Sequence, residues 1–194
     1  MPGRVLILFA RAPRLGAVKR RLAAGIGARG ALRFYAGTLA ATAGAVGRDR
    51  RWRTIVSVTP PGAGADWGRL LPRGTARVAQ PRGDLGQKME RAMRPFRRVL
   101  LAGSDIPGLR AADIAAGFAA LGRADAVFGP AEDGGYWLVG MGPRRPARPF
   151  AGVRWSSEHA LADTLRNFRG RRVAFLRRMR DVDTAEDLAA LRRG

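Results

Sequence analysis

An α/β fold with a mostly parallel sheet and helices on both faces is predicted for this chain of 194 residues. Three observations carry the prediction. Short apolar runs of strand length alternate along the whole chain with stretches of helical periodicity. The runs are apolar at consecutive positions, as in strands covered on both sides, and glycine, proline or polar residues punctuate the junctions. A composition of 46% hydrophobic and 26% charged residues lets a chain of this length bury a substantial core, and residues 1–194 read as a single domain.

Taken in order, "RVLILFA" (4–10) is the first strand. "LGAVKRRLAAGIG" (15–27) opens a helix at a glycine, and "ALRFYAGTLAATAGAV" (31–46) continues it with apolar residues at helical spacing. "TIVSVTP" (54–60) is a strand stopped by two prolines, "GADWGRLL" (64–71) is helical, and "ARVAQ" (76–80) is a short strand. "DLGQKMERAMRPF" (84–96) is a helix shortened by Pro95. "RVLLAGSD" (98–105) is the central strand, and "AADIAAGFAALG" (111–122) is a helix closed by Gly122. "ADAVFGPAEDGGYWLVGM" (124–141) reads as strand, glycine turn, strand. "GPRRPARP" (142–149) is the best candidate for a mobile loop. "SSEHALADTLRNF" (156–168) is a helix, "RVAFL" (172–176) a late strand, and "TAEDLAALRR" (184–193) a last helix capped by Thr184 with Asp187 three residues on.

Composition excludes several chemistries. There is no cysteine and a single histidine, His159, so disulfides, thiolate zinc sites and cysteine nucleophiles are ruled out. Any metal would have oxygen ligands, which favours Mg²⁺ or Mn²⁺. "VLILFA" is too short for a signal-peptide core, and no apolar run nears the roughly 20 residues that span a bilayer. A cytoplasmic protein without membrane insertion is expected. The net charge of +21 is almost all arginine, the only lysines being Lys19 and Lys88. Such a field attracts anions, and nucleic acid has to be weighed beside small phosphate-bearing molecules. The arginines are scattered and lack interleaved aromatics, which disfavours a nucleic-acid surface.

Four segments carry residues suited to chemistry. In "ARAPRLGAVKRRL" (10–22), Gly16 lets backbone close on an anion, and Arg11, Lys19 and Arg20 supply charge near a helix start. A basic solvated loop explains the segment equally well. Asp105 ends the central strand, where ligands of open α/β sheets gather, or else caps the following turn. In "GPAEDGGYW" (129–137), Glu132 and Asp133 precede paired glycines and two aromatics, which suits a polyhydroxylated ligand but also a plain hairpin. In "RDVDTAEDL" (180–188), the alternation of Asp181 and Asp183 is read as turning only one of them toward a ligand.

In order, "FARAPRLGAVKRRL", "GDLGQKM", "GSDIPGL", "GPAEDGGYWLVG", "RWSS" and "DVDTAEDL" resemble a bacterial family of unknown function with a glycosyltransferase A fold. Its members carry names such as arsenosugar-biosynthesis-type glycosyltransferase and radical-SAM/selenodomain-associated transferase. The resemblance covers nearly the whole chain. It implies a three-layer α/β/α, nucleotide-diphospho-sugar transferase-like fold with a nucleotide at the carboxyl edge of the sheet and a divalent ion bridging its phosphates. In related nucleotidyltransferases the metal carboxylates come from the central strand and from a late D-T-x-E-D-L segment, positions that match Asp105 and Asp183. The chain departs from the family's usual lysine-threonine-arginine-leucine at Lys19, Arg20, Arg21 and Leu22, and it reduces the double-aspartate motif of many glycosyltransferases to Ser104 and Asp105.

The expected function is therefore a metal-dependent transferase with a nucleotide-activated donor, most simply a glycosyltransferase using a nucleoside diphosphate sugar and a small-molecule acceptor. Lys19, Asp105 and Asp133 form the expected catalytic set. Arg11, Gly16, Lys19 and Arg21 are assigned to the nucleotide phosphates, Asp105 and Asp183 to Mg²⁺ or Mn²⁺, and Glu132, Asp133, Gly135, Tyr136 and Trp155 to the acceptor. The alternatives are guanylyltransferase-like nucleotidyl transfer to a phosphorylated small molecule, and a non-catalytic basic nucleic-acid binder on the same scaffold.

Overall fold

The computed structural model describes residues 3–61 and 67–193. Seven strands form one sheet: β1 (Val5–Arg11), β2 (Arg53–Thr59), β3 (Ala76–Ala79), β4 (Val99–Gly103), β5 (Ala126–Pro130), β6 (Tyr136–Met141) and β7 (Val173–Phe175). Their order is β3-β2-β1-β4-β6-β5-β7. Pairing is parallel except around β6, which runs antiparallel to both neighbours and so inserts between β4 and β5. The expected central strand, β4, is the fourth of the seven.

The described residues also form six helices, five between strands and one after β7: α1 (Arg20–Gly47), α2 (Trp67–Leu70), α3 (Leu85–Met93), α4 (Ala111–Ala120), α5 (Ala160–Arg166) and α6 (Ala185–Arg193). Because successive strand side chains point to opposite faces, the consecutive apolar runs feed two cores. Leu6, Leu8, Leu100 and Ala102 pack under Tyr35, Leu39 and Val46 of α1 and Ile114 and Phe118 of α4. Val5, Ile7, Val99 and Leu101 pack on the other face against Met89 and Met93 of α3 and against Phe150 and Phe168. Three layers result. Among the described residues, no helix is long and apolar enough to cross a membrane.

Local signals account for most boundaries. Asp84 caps α3 by accepting from the Gln87 amide at 2.9 Å, and the Gln87 side chain accepts in return from the Asp84 amide. The helical periodicity of 15–46 is one element only in part: α1 begins at Arg20, and Gly27 breaks it with φ 76 and ψ 156. The helix expected over 64–71 starts at Trp67, and its first residues lie outside those described. The helix expected from Ser156 starts at Ala160, since Ser156 takes φ 58 and the Ser157 hydroxyl bonds back to the Arg154 carbonyl. The expectation of mobility over 142–149 does not fit the observed contacts: Arg145 donates to the carbonyls of Gly142, Met93, Phe96 and Arg97, tying the loop to the end of α3.

Candidate functional site

At the carboxyl edge of the sheet, three chain segments converge. The first is the loop after β1. Its origin is fixed by Tyr35, whose hydroxyl accepts from the Arg11 amide and donates to the Arg11 carbonyl, both at 2.8 Å. The second follows β4, where the Ser104 amide still pairs with the Phe9 carbonyl and Asp105 is the next residue. The third is 179–184. Met179 bonds the Pro130 carbonyl and extends the pairing beyond β5, which carries Asp181 and Asp183 to the same edge. Between them Val182 is fully buried with Leu22, Ala31 and Leu188 in a small core under the first turns of α1.

Lys19 stands where these segments meet. Its ammonium lies 2.8 Å from Asp105 Oδ2, 3.0 Å from Asp181 Oδ1 and 3.1 Å from Asp183 Oδ1, and its side chain is 6% exposed. An ammonium has three N–H donors, and here three carboxylates take them. The backbone of Lys19 is left-handed, with φ 44 and ψ 54, as it caps α1. Burial works against its charge, but the carboxylates, led by Asp105, overcome that and hold its pKa above the usual lysine value. Burial pushes the Asp181 carboxyl up; Lys19 opposes this, and the neighbouring Asp105 and Asp183 add to it. Arg21, at the solvent side, approaches Asp183 Oδ2 at 3.7 Å.

Two hollows flank this cluster. A cleft of about 620 Å³ is lined by Arg11, Arg20, Arg21 and Lys88 together with Gln80 and the Lys19 cluster itself. Its five basic side chains outnumber its three carboxylates, so it is cationic on balance. A smaller pocket of about 290 Å³ is walled by Phe9, Met89, Ile106, Tyr136 and Trp155, with Asp133, Ser157 and Arg180 as polar members. Phe9, Leu85, Ser156 and Asp181 line both, so the hollows adjoin across the carboxylate cluster. Gly86 permits this wall: a Cβ there would lie 3.0 Å from the Trp155 ring and from Phe150 Cβ.

The residues singled out in the sequence fall as follows. Arg11, Lys19, Arg21, Asp105 and Asp183 line the cationic cleft. Asp133, Gly135, Tyr136 and Trp155 line the smaller pocket. Two of the residues lie outside both hollows. Gly16 does take the positive φ, 74°, that suits glycine, but its turn ends before the helix, which begins at Arg20. Gly16 lines neither hollow. Glu132 also lines neither, because its carboxylate turns to Arg180 at 2.8 Å.

Asp181 and Asp183 do not divide between two sides either. Residues i and i+2 of an extended chain share a face, and it is Val182 that turns the other way. Lys88, Gln80, Ser156, Ser157 and Arg180 are among the polar lining residues to which the sequence assigned no role, and Asp181 lines both hollows beside the expected Asp183. For Asp181 the Asp-Val-Asp spacing was the available signal. Asp133 serves its own turn with one oxygen, Oδ1 accepting from the Gly135 amide at 2.9 Å. Trp137 is buried, its N–H bonded to the Arg177 carbonyl.

Among the described residues no group of three or more acidic or histidine side chains is arranged to hold a metal ion by itself. The donor set nevertheless suits a shared ion. Asp105 Oδ1 and Asp183 Oδ2 are not the oxygens that meet Lys19, and Mg²⁺ in particular is commonly held by one or two carboxylates while substrate phosphates and water complete its shell.

Comparison with known proteins shows the fold and the family. The chain aligns in structure with a provisionally assigned nucleotide-diphospho-sugar transferase from Desulfovibrio desulfuricans G20 at a TM-score of 0.90 and 29% identity, over 98% of this chain and 87% of that one. A manganese complex of Rv0371C from Mycobacterium tuberculosis H37Rv aligns at 0.55 and 17% identity over 97% of each chain. The 2-C-methyl-D-erythritol 4-phosphate cytidylyltransferase of Thermus thermophilus aligns at 0.50 and 18% identity over the full length of both. The last two share the fold. No curated protein matches in sequence. Residues 40–157 match the family described as "Uncharacterized protein conserved in bacteria (DUF2064)", and the chain belongs to it.

Proposed function

With that family membership as premise, we propose that the chain is a nucleotide-utilising transferase that moves a glycosyl group from a nucleoside diphosphate sugar to a small acceptor. One observation carries the reading: a lysine-bridged cluster of three carboxylates at the carboxyl edge of the sheet, with a cationic cleft on one side and a ring-lined pocket on the other. The likeness to the Desulfovibrio protein supports it.

In this reading the donor's phosphates lie in the cleft, where Arg11, Arg21 and Lys88 meet their oxygens in charge-assisted hydrogen bonds. Asp105 and Asp183 hold Mg²⁺ or Mn²⁺, and the likeness to a fold solved with manganese supports that role. The ion when bound offsets the charge that develops on the diphosphate leaving group. The acceptor sits in the smaller pocket against Tyr136 and Trp155. Asp133 Oδ1 is engaged by its own turn, which leaves Oδ2 to take the acceptor's hydroxyl proton.

Thermal shift against nucleoside diphosphates and their sugars, with and without Mn²⁺, tests the reading, since a ligand selective for the folded state raises its apparent stability. A nucleotide-dependent rise that grows with Mn²⁺ is expected, followed by release of nucleoside diphosphate once an acceptor is found. Release of pyrophosphate would replace glycosyl with nucleotidyl transfer. Salt-sensitive binding that ignores nucleotide identity would favour the polyanion-binding reading instead.

A further inference from the structure

Lys19 takes one oxygen of Asp105 and one of Asp183, so an ion held by the other oxygens of the same two carboxylates would lie close to its ammonium. Its ammonium is nearly sealed from water, and its three donors match three carboxylates at 2.8, 3.0 and 3.1 Å. It is also held in a left-handed backbone conformation that lysine rarely adopts, and such outliers persist where the surroundings over-determine them. The neighbouring cleft, lined by Arg11, Arg21 and Lys88 and by Lys19 itself, has room for an anion beside the ammonium.

Charge sets the order of binding. With Lys19 in place the three carboxylates keep a surplus of about two negative charges, which Arg11, Arg20, Arg21 and Lys88 on the same cleft offset, so little net attraction is left for a divalent ion alone. A divalent ion and an ammonium crowded onto the same carboxylate cluster repel each other at short range. Phosphate oxygens in the cleft offer the ammonium a second set of acceptors.

We propose that Lys19 is the resident counter-cation of this cluster and gives way to a divalent ion only when nucleotide phosphates are present to receive its ammonium. Ion and nucleotide then bind together, and the ion alone binds poorly. The inference rests on the proposed function for its two ligands, but it makes a claim of opposite sign to the simpler view of Lys19 as a phosphate contact: removing the lysine strengthens ion binding.

The test titrates Mn²⁺ alone into the full chain, following the paramagnetic signal of the free ion, for the parent and for Lys19→Met. The variant is expected to bind Mn²⁺ about tenfold more tightly or better, the effect of removing one cation from direct contact with the ligands. UDP or GDP is expected to enhance Mn²⁺ binding in the parent and to do so less in the variant. Equal or weaker Mn²⁺ binding by a folded Lys19→Met overturns the inference.

A measurement on the parent does not depend on the variant folding. The chain has only two lysines, Lys19 and Lys88, so ¹⁵N-lysine labelling gives two side-chain ammonium signals. The Lys19 signal is expected to hold its position with Mg²⁺ alone and to move when Mg²⁺ and UDP or GDP are added together. A signal that moves as far with Mg²⁺ alone, or not at all in the ternary mixture, overturns the inference while the functional reading stands. If the parent binds no nucleoside diphosphate, with or without the ion, the functional reading falls and the inference falls with it.

Discussion

Gly25 offers a test of how the last segment of the chain is held in place. It lies in the first turns of α1, facing Ala185 at the start of α6, and a Cβ added there would come 2.6 Å from the Cβ of Ala185. Carbon atoms in contact settle at about 3.5–4.0 Å, so Gly25→Ala demands a separation of roughly 1 Å between the two helices. Overpacking of this kind costs about 1–3 kcal/mol, while alanine recovers about 0.5–1 kcal/mol of helix propensity. A net loss of about 1 kcal/mol remains, which lowers Tm by about 2–4 °C for a chain of this size. Gly37, in the same helix, has nothing within 4 Å of a built Cβ. Gly37→Ala keeps only the propensity gain and raises Tm by a few degrees, roughly 1–4 °C. Circular dichroism melts of the two variants against the parent decide the matter. The displacement also reaches Asp183, two residues before Ala185, so Mn²⁺ affinity in the presence of nucleotide should fall in Gly25→Ala and hold in Gly37→Ala. A Gly25→Ala protein that melts as high as Gly37→Ala would refute the close contact and the positioning built on it.

Three further outcomes are expected. Lys88→Ala should weaken binding of a nucleoside diphosphate by about one to two decades, the size of a charge-assisted contact, and leave the bare nucleoside little changed; equal loss for both would remove Lys88 from the phosphates. Asp133→Asn should reduce transfer to acceptor while donor affinity is kept, and loss of donor affinity with full transfer at saturation would move Asp133 to the donor side. At acid pH, Asp163 should dominate: hydrogen bonds and charge from Arg154, helped by Arg166, hold its buried carboxyl well below the usual carboxylate range. Its contribution is therefore complete above the unfolded value of about 3.9 and is lost as the pH falls below it. Asp163→Asn should flatten the acid limb of a stability-against-pH curve, and an unaltered limb would assign that slope to other groups.

The sheet was legible because burial on both faces leaves a plain mark, as in "RVLILFA" and "RVLLAG". The same mark made Asp105 visible, as a carboxylate at the end of an apolar run. Which strand β6 would join was not legible. A hairpin's local pairing shows in its turn residues, whereas its insertion beside β4 depends on how the whole sheet closes. The Gly27 break was hidden for a related reason, since the apolar period resumes on its far side. Lys19 meets Asp181 and Asp183 across 162 and 164 positions of chain, and no local pattern announces such a contact. The contact of Glu132 with Arg180 spans 48 positions and was hidden in the same way.

The order in which the chain is made bears on the late arrival of Asp181 and Asp183. All seven strands have been synthesised once Phe175 is added, yet two of the three carboxylates around Lys19 come after that point. An emerging chain therefore has its sheet before its site, with Lys19 facing Asp105 alone until the final stretch docks Val182 beneath α1. A polypeptide cut after Phe175 would hold all seven of these strands and only one of the three carboxylates that meet Lys19.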